Sequence, residues 1–157
     1  MKSIAEYNLK TQQKRALVVF SDQADLAWLR VLRPGFRHCF VLIKCGVEGG
    51  DAGDLEGSNW VLYNPLSTAT QISLWAVHDD KVLKNSLVQQ GYCIVETYVR
   101  PLTVEVLPWR PFTCVEAVKR SLGLHKSSLF TPYGLYKFLL NENKVKKILD
   151  FSQQLGY

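Results

Sequence analysis

From Phe36 to Ile43 the chain reads Phe36-Arg37-His38-Cys39-Phe40-Val41-Leu42-Ile43, and nothing polar interrupts it after His38. A run this short, rich in aromatic and β-branched residues, reads as a strand. Successive side chains of a strand point to opposite faces, so residues 37–43 are apolar on both. Such a strand cannot sit at a solvated edge. It is expected in the centre of a sheet with cover on both sides. With 157 residues, 47% of them hydrophobic and 21% charged, the chain has the material for one domain with a real core.

The remaining pattern supplies neighbours and cover. Residues 16–20, 59–64, 71–77 and 92–99 read as further strands, with Pro65 ending the second of these. Ser21-Asp22 is expected to start a short helix over 23–32, with Leu26, Leu29 and Trp28 turned inward, before Arg33-Pro34-Gly35 turns the chain. Asp79-Asp80 opens another helix to about residue 90, broken by Gly91. Residues 46–58 are rich in glycine and acid and form a loop. Asp51, Asp54 and Glu56 lie there without the spacing of a calcium loop, so a solvated hairpin tip is the better reading. A proline-rich connection leads to a helix that begins near Cys114 and stops at Gly123. Thr131-Pro132 starts another to about residue 140, and a separate amphipathic tail, 144–157, closes the chain. The inventory is α+β: an antiparallel sheet packed against helices, in a single domain over 1–157.

Charge and cysteine usage narrow the function classes. The net charge of +5 is modest, and the basic residues gather at Lys10, Lys14 and Arg15 and again at Lys137, Lys144, Lys146 and Lys147. That density suits a solvated face better than a nucleic-acid surface. The first residues are too polar for a signal peptide and no run has the length of a membrane span. The expectation is therefore a cytoplasmic chain where it is made, with no membrane contact. Four cysteines, Cys39, Cys45, Cys93 and Cys114, show no metal-ligand spacing, and no metal or cofactor is expected. Cys39, Cys45 and Cys93 read as reduced thiols in or beside strands.

Cys114 differs from the other three. Thr113-Cys114-Val115-Glu116 is a T-x-x-E capping box, with Thr113 at the N-cap and Glu116 at N3. Cys114 then stands at the first helical position, where free N–H groups and the helix dipole favour a thiolate. A thiolate nucleophile needs a base, and His38 on the central strand is the candidate. Cysteine is also among the residue types most often simply buried, which is the competing reading for Cys114.

Facing residues of an antiparallel pair have a constant index sum. If Phe40 faces Leu62, His38 faces Asn64, and both lie on a face that a helix covers. Phe36, His38, Phe40 and Leu42 share one face by alternation, as do Trp60, Leu62 and Asn64. An amide beside the imidazole would fix its tautomer and ring plane. The register is assumed, so Asn59 or a main-chain carbonyl remain alternatives for the third position. A backbone-bonded buried His38 and an Asn64-Pro65 turn are the structural alternatives.

The segments 36–42, 60–65 (Trp60-Val61-Leu62-Tyr63-Asn64-Pro65) and 112–119 (Phe112-Thr113-Cys114-Val115-Glu116-Ala117-Val118-Lys119) together resemble circularly permuted papain-like cysteine hydrolases of the NlpC type. In that branch the histidine strand precedes the cysteine helix, as it does here. The resemblance covers about residues 33–140. It implies a papain-like fold, Cys114 as nucleophile, His38 as general base and acid, and Asn64 as the orienting residue. The implied activity is a thiol peptidase or amidase acting on a peptide or acyl substrate, including cell-wall peptide. The alternative is the same fold kept as a non-catalytic binding or assembly module with a partner protein. Association with a phage particle is a context the resemblance also suggests.

Trp109 and Phe112, flanked by Pro108 and Pro111 next to Cys114, are the candidates for lining a substrate cleft. Ser21 or Asp22 at the end of the first strand could line it too, against helix capping as the alternative. His78 and His125 read as surface residues.

Overall fold

The computed structural model describes residues 14–45, 58–101 and 111–154. The expected loop at 46–57 and Trp109 lie outside these residues. Five strands, β1 (Arg15–Ser21), β2 (His38–Cys45), β3 (Ser58–Pro65), β4 (Thr70–Val77) and β5 (Cys93–Tyr98), form one open antiparallel sheet in the order β4-β3-β2-β1-β5. The α-helices are α1 (Asp80–Gln89), α2 (Cys114–Ser121) and α3 (Pro132–Gln154). The class is α+β, and β2 stands in the middle of the sheet.

Alternation along the two central strands builds two cores. Ala16, Val18 and Phe20 of β1 and Cys39 and Val41 of β2 pack with Val115, Val118 and Leu122 around α2 and with Leu135 and Leu139 of α3. Leu17, Val19, Phe40 and Leu42 point the other way, onto Trp60, Leu62, Leu83 and Leu87 beneath α1. Each side chain of this size, fully buried, contributes about 1.5–3 kcal/mol, so a helix on each face is what makes an apolar two-faced strand stable. Polar ties align α1 with the sheet. Asp80 Oδ1 accepts from Trp60 Nε1 at 3.0 Å, and its Oδ2 accepts from Arg15 at 3.0 Å and Lys44 Nζ at 2.8 Å. Asp79 caps the same helix by accepting from the Lys81 amide at 2.8 Å.

Three expectations need correction. The helix over 23–32 is only a 3-10 turn, Ala27–Val31, which buries no residue. Leu26 and Trp28 are exposed rather than inward. Neither Ser21 nor Asp22 caps this turn. Leu26 holds the N-cap position, and Asp22 accepts from the Gly35 amide and from Arg37, closing the excursion onto itself. The helix from Pro132 does not stop near 140. It continues through Asn141-Glu142-Asn143 to Gln154, so no separate tail begins at 144. Asn141 and Asn143 are weak helix formers, but Asn143 donates to the Glu96 carbonyl at 2.9 Å and Glu142 pairs with Arg100, so tertiary contacts help carry the helix across them. The third concerns Phe36. It packs with Phe20, Tyr133 and Tyr136 on the α3 side, not beside His38, because β2 begins at His38 and strand alternation does not extend back to it.

The end of α2 matches its sequence signal. Gly123 has φ +62°, its amide donates to the Arg120 carbonyl, and the Leu124 amide donates to Lys119, which is a Schellman closure. A Cβ at Gly123 would stand 3.0 Å from the Arg100 carbonyl oxygen. Gly123→Ala is therefore expected to destabilise the fold by about 1–3 kcal/mol, through left-handed strain plus this clash. Urea denaturation of the two proteins measures it, and an unchanged midpoint would contradict the account.

Candidate active site

The site forms where the sheet opens. Pairing of β2 with β3 begins at Val41 opposite Tyr63, so His38, Cys39 and Phe40 have no partner in β3. α2 packs against β2 and reaches β3. Thr113 Oγ1 accepts from the Glu116 amide at 3.2 Å and fixes the helix start. Only half of the expected capping box exists. The Glu116 carboxylate binds Lys119 at 2.8 Å and Arg120 at 3.0 Å instead of returning to the Thr113 amide. Lys119 is buried, and an unpaired ammonium there would be costly, so the ion pair has first claim on Glu116. Cys114 nonetheless stands where the box put it, as the first residue of α2.

The observed register has Val41 opposite Tyr63 and Leu42 opposite Leu62, two residues away from the assumed one. A two-residue slip leaves every side chain on its expected face. Asn64 is thus diagonal to His38 rather than directly opposite, on the same face, and the pair still forms. His38 Nε2 and Asn64 Oδ1 are 2.7 Å apart. A carbonyl oxygen only accepts, so the bond requires the proton on Nε2 and leaves Nδ1 for another partner. Asn64 is held in turn by donating Nδ2 to Gln71 Oε1 at 3.3 Å. Asn59 lies toward the other end of β3, opposite Cys45, and the Asn59 alternative falls away.

Cys114 and His38 lie near enough for each to shift the titration of the other. They approach from opposite faces: α2 covers the Cys39 and Val41 side, whereas His38 shares a side with Phe40, its ring centroid 6.3 Å away. Their meeting is possible at the unpaired end of β2. The Cys114 thiol is held down at about 5. The foremost cause is a hydrogen bond from the Cys39 thiol. Burial opposes it, and the His38 hydrogen bond, the His38 charge and the Cys39 amide add to the lowering. For His38, burial is the largest influence and disfavours the imidazolium. Hydrogen bonds to Cys114 and Asn64, with the charges of Cys114 and Asp25, outweigh it and raise the group above 6.5. Cys39 itself is pushed well up, chiefly by burial.

The three sequence-assigned residues Cys114, His38 and Asn64 therefore come together. Phe112, two residues before Cys114 in the chain, is 60% exposed, with the Arg120 guanidinium 5.9 Å from its ring. His78 and His125 are exposed and apart from the site. All four cysteines are free, and no group of three or more potential metal ligands occurs among the described residues. None of the described helices is long and apolar enough to cross a membrane. Sequence reasoning placed Cys39 as an ordinary strand thiol and missed its influence on the titration of Cys114. The available signal was its place next to His38, with a side chain directed to the α2 face. Comparison with protein-family models, curated proteins and solved structures finds no match.

The pKa pattern has a direct readout. A thiol whose pKa is depressed is thiolate above that value and protonated below it, so alkylation of Cys114 should rise with pH through about 5. The imidazolium, its pKa raised, persists to a pH above 6.5. Iodoacetamide labelling mapped by mass spectrometry at pH 6 should find Cys114 modified faster than the exposed Cys93 or the half-buried Cys45. Equal or slower labelling at Cys114 would contradict the site.

Proposed function

We propose that the chain is a thiol hydrolase of the permuted papain-like kind, cleaving an amide or peptide bond through Cys114, His38 and Asn64. The observation that carries this reading is the connected chain from Cys114 to His38 to Asn64, joining a helix N-terminus to two adjacent strands. The reading is supported further by the order of the elements, histidine strand before cysteine helix, and by an antiparallel sheet with that helix packed on it.

The chemistry follows from the protonation states. Between about pH 5 and the raised value of His38, the resting pair is thiolate and imidazolium. The thiolate attacks the substrate carbonyl and forms a C–S bond. Negative charge moves to the carbonyl oxygen, where the backbone N–H of Cys114 at the helix start is the natural donor. Collapse of this intermediate breaks the C–N bond, and His38 delivers its proton to the departing amine. Neutral His38 then takes a proton from water, whose oxygen attacks the thioester. Release of the acid restores the thiolate–imidazolium pair. Asn64 holds the imidazole through Nε2, so Nδ1 is the nitrogen that carries the transferred proton. A peptide, including a cell-wall peptide, is the substrate class this chemistry suits, with Phe112 placed to meet it.

Cys114→Ala and His38→Ala are each expected to lower hydrolysis of a responsive peptide or acyl anilide on the order of a thousandfold or more, with the fold retained by circular dichroism. Nucleophile and base act as a unit, so the double variant should be no slower than either single one. Asn64→Ala should cost less, because it orients the base without bonding to substrate. Turnover that survives Cys114→Ala would end the thiol mechanism. A purified chain that turns over no member of a broad acyl and peptide panel would favour the non-catalytic module.

A further inference from the structure

We propose that Ser21 is a substrate-contacting residue, its hydroxyl holding the group that exchanges a proton with His38: the departing amine in the first half of the reaction and the attacking water in the second. The proposal deepens the thiol-hydrolase reading and rests on it. Ser21 ends β1 and stands directly opposite His38, the first residue of β2. Directly opposed residues share a face, with Cβ atoms about 4.5–5.5 Å apart. The neighbouring pairs on that face, Leu17 with Leu42 and Val19 with Phe40, belong to the core beneath α1. Ser21 and His38 continue this row to the end of the strand pair, where polar side chains replace apolar ones. The Arg37 amide donates to the Ser21 carbonyl at 2.9 Å and closes the pair there.

The state of the hydroxyl points to a ligand. Ser21 is only 4% exposed, and its Oγ has no hydrogen-bond partner among the described residues. A buried hydroxyl left unpaired costs stability, and alanine in its place would avoid that cost. The other buried polar side chains stand elsewhere. Thr97 is opposite Ala16, near the far end of β1, and Glu116 and Lys119 pair with each other on α2. His38 is therefore the buried polar side chain that Ser21 faces. Asn64 of β3 holds Nε2 of that imidazole from one side, and β1 flanks β2 on the other. A ligand atom that reaches His38 on the β1 side meets Ser21. The amine and the water occupy this place in turn, because each exchanges a proton with the same nitrogen. Water there donates one hydrogen to Nδ1 and the other to Ser21 Oγ. Its oxygen bonds to the thioester carbon, the first proton passes to Nδ1, and the C–S bond breaks to return the thiolate.

The experiment uses 4-nitrophenyl acetate as the acyl donor. Nitrophenolate release reports acetylation. Mass spectrometry of the Cys114 peptide, after removal of excess reagent, follows loss of the acetyl group. Ser21→Ala should lose the acetyl group about tenfold more slowly, as for one hydrogen bond missing from the transition state. Acetylation should be slowed less, since nitrophenolate departs without a proton. The urea midpoint of this variant should equal or exceed that of the parent, because an unpaired buried hydroxyl has been removed. Ser21→Thr keeps a hydroxyl and should restore the parent rate. Unchanged deacetylation in Ser21→Ala, beside a parent that gains and loses the acetyl group, overturns the role of Ser21 and leaves the hydrolase reading intact. Equal slowing in the Thr variant also overturns it, since packing would then be the cause. A lowered urea midpoint in the Ala variant overturns it as well, because the hydroxyl would then be serving the fold. A parent that never acetylates Cys114, or never releases the acetyl group, ends the hydrolase reading and the role of Ser21 together. Slowed deacetylation at undiminished stability, with rescue by Thr, supports the proposal.

Discussion

The parting of β3 from β2 ahead of Val41 is the constraint on which the site depends. A fully paired sheet would place a layer of backbone between α2 on one face and His38 on the other. Where the pairing stops, a side chain from the helix can meet side chains from both faces of the same strand. The titration of Cys114 is accordingly influenced by both His38 and Cys39, consecutive residues whose side chains point opposite ways.

Rigidity comes from the surroundings. β1 and β2 are buried on both faces, so the strand that carries His38 and Cys39 has little freedom to shift. α2 is fixed at its start by Thr113, along its length by the buried Glu116–Lys119 pair and at its end by Gly123. The thiolate–imidazolium pair is thus set on two elements whose relative position is determined by apolar packing. Preorganisation of this kind lets a weakly hydrated charge persist without reorganisation of its surroundings. Asn64 extends the arrangement to β3 and is itself held by Gln71 of β4, so orientation of the imidazole is anchored two strands away.

Asn64 shows why some of the site could be read before any coordinates. The assumed register was wrong by two residues, yet the face was right, because side-chain direction in a strand repeats every second residue. A slip of one residue would have put Asn64 on the α2 side with Tyr63's neighbours and lost the pair. Cys114 was legible for a different reason, since Thr113 and Gly123 mark helix ends through local backbone chemistry. Cys39 was not legible, because its importance comes from a helix that arrives seventy-odd residues later in the chain. The interruption foreseen near residue 140 and the helix foreseen at 23–32 failed on the same ground. Asn143 and Glu142 are held by partners far away in the chain, and the turn within 23–32 buries no residue.

By itself, the sequence determined what short-range rules can determine: a central two-faced strand, the order of the five strands, the cap at Thr113, the stop at Gly123, and a cysteine at a helix start. Backbone preference and periodicity act within a few residues, so these features are written locally. The tertiary structure alone decided the β2–β3 register, the opening at the end of that pair, the continuity of α3 and the convergence of Cys39, His38, Asn64 and Cys114. Those depend on which distant surfaces fill one another's space, and packing between elements far apart in the chain has no signature in any one of them.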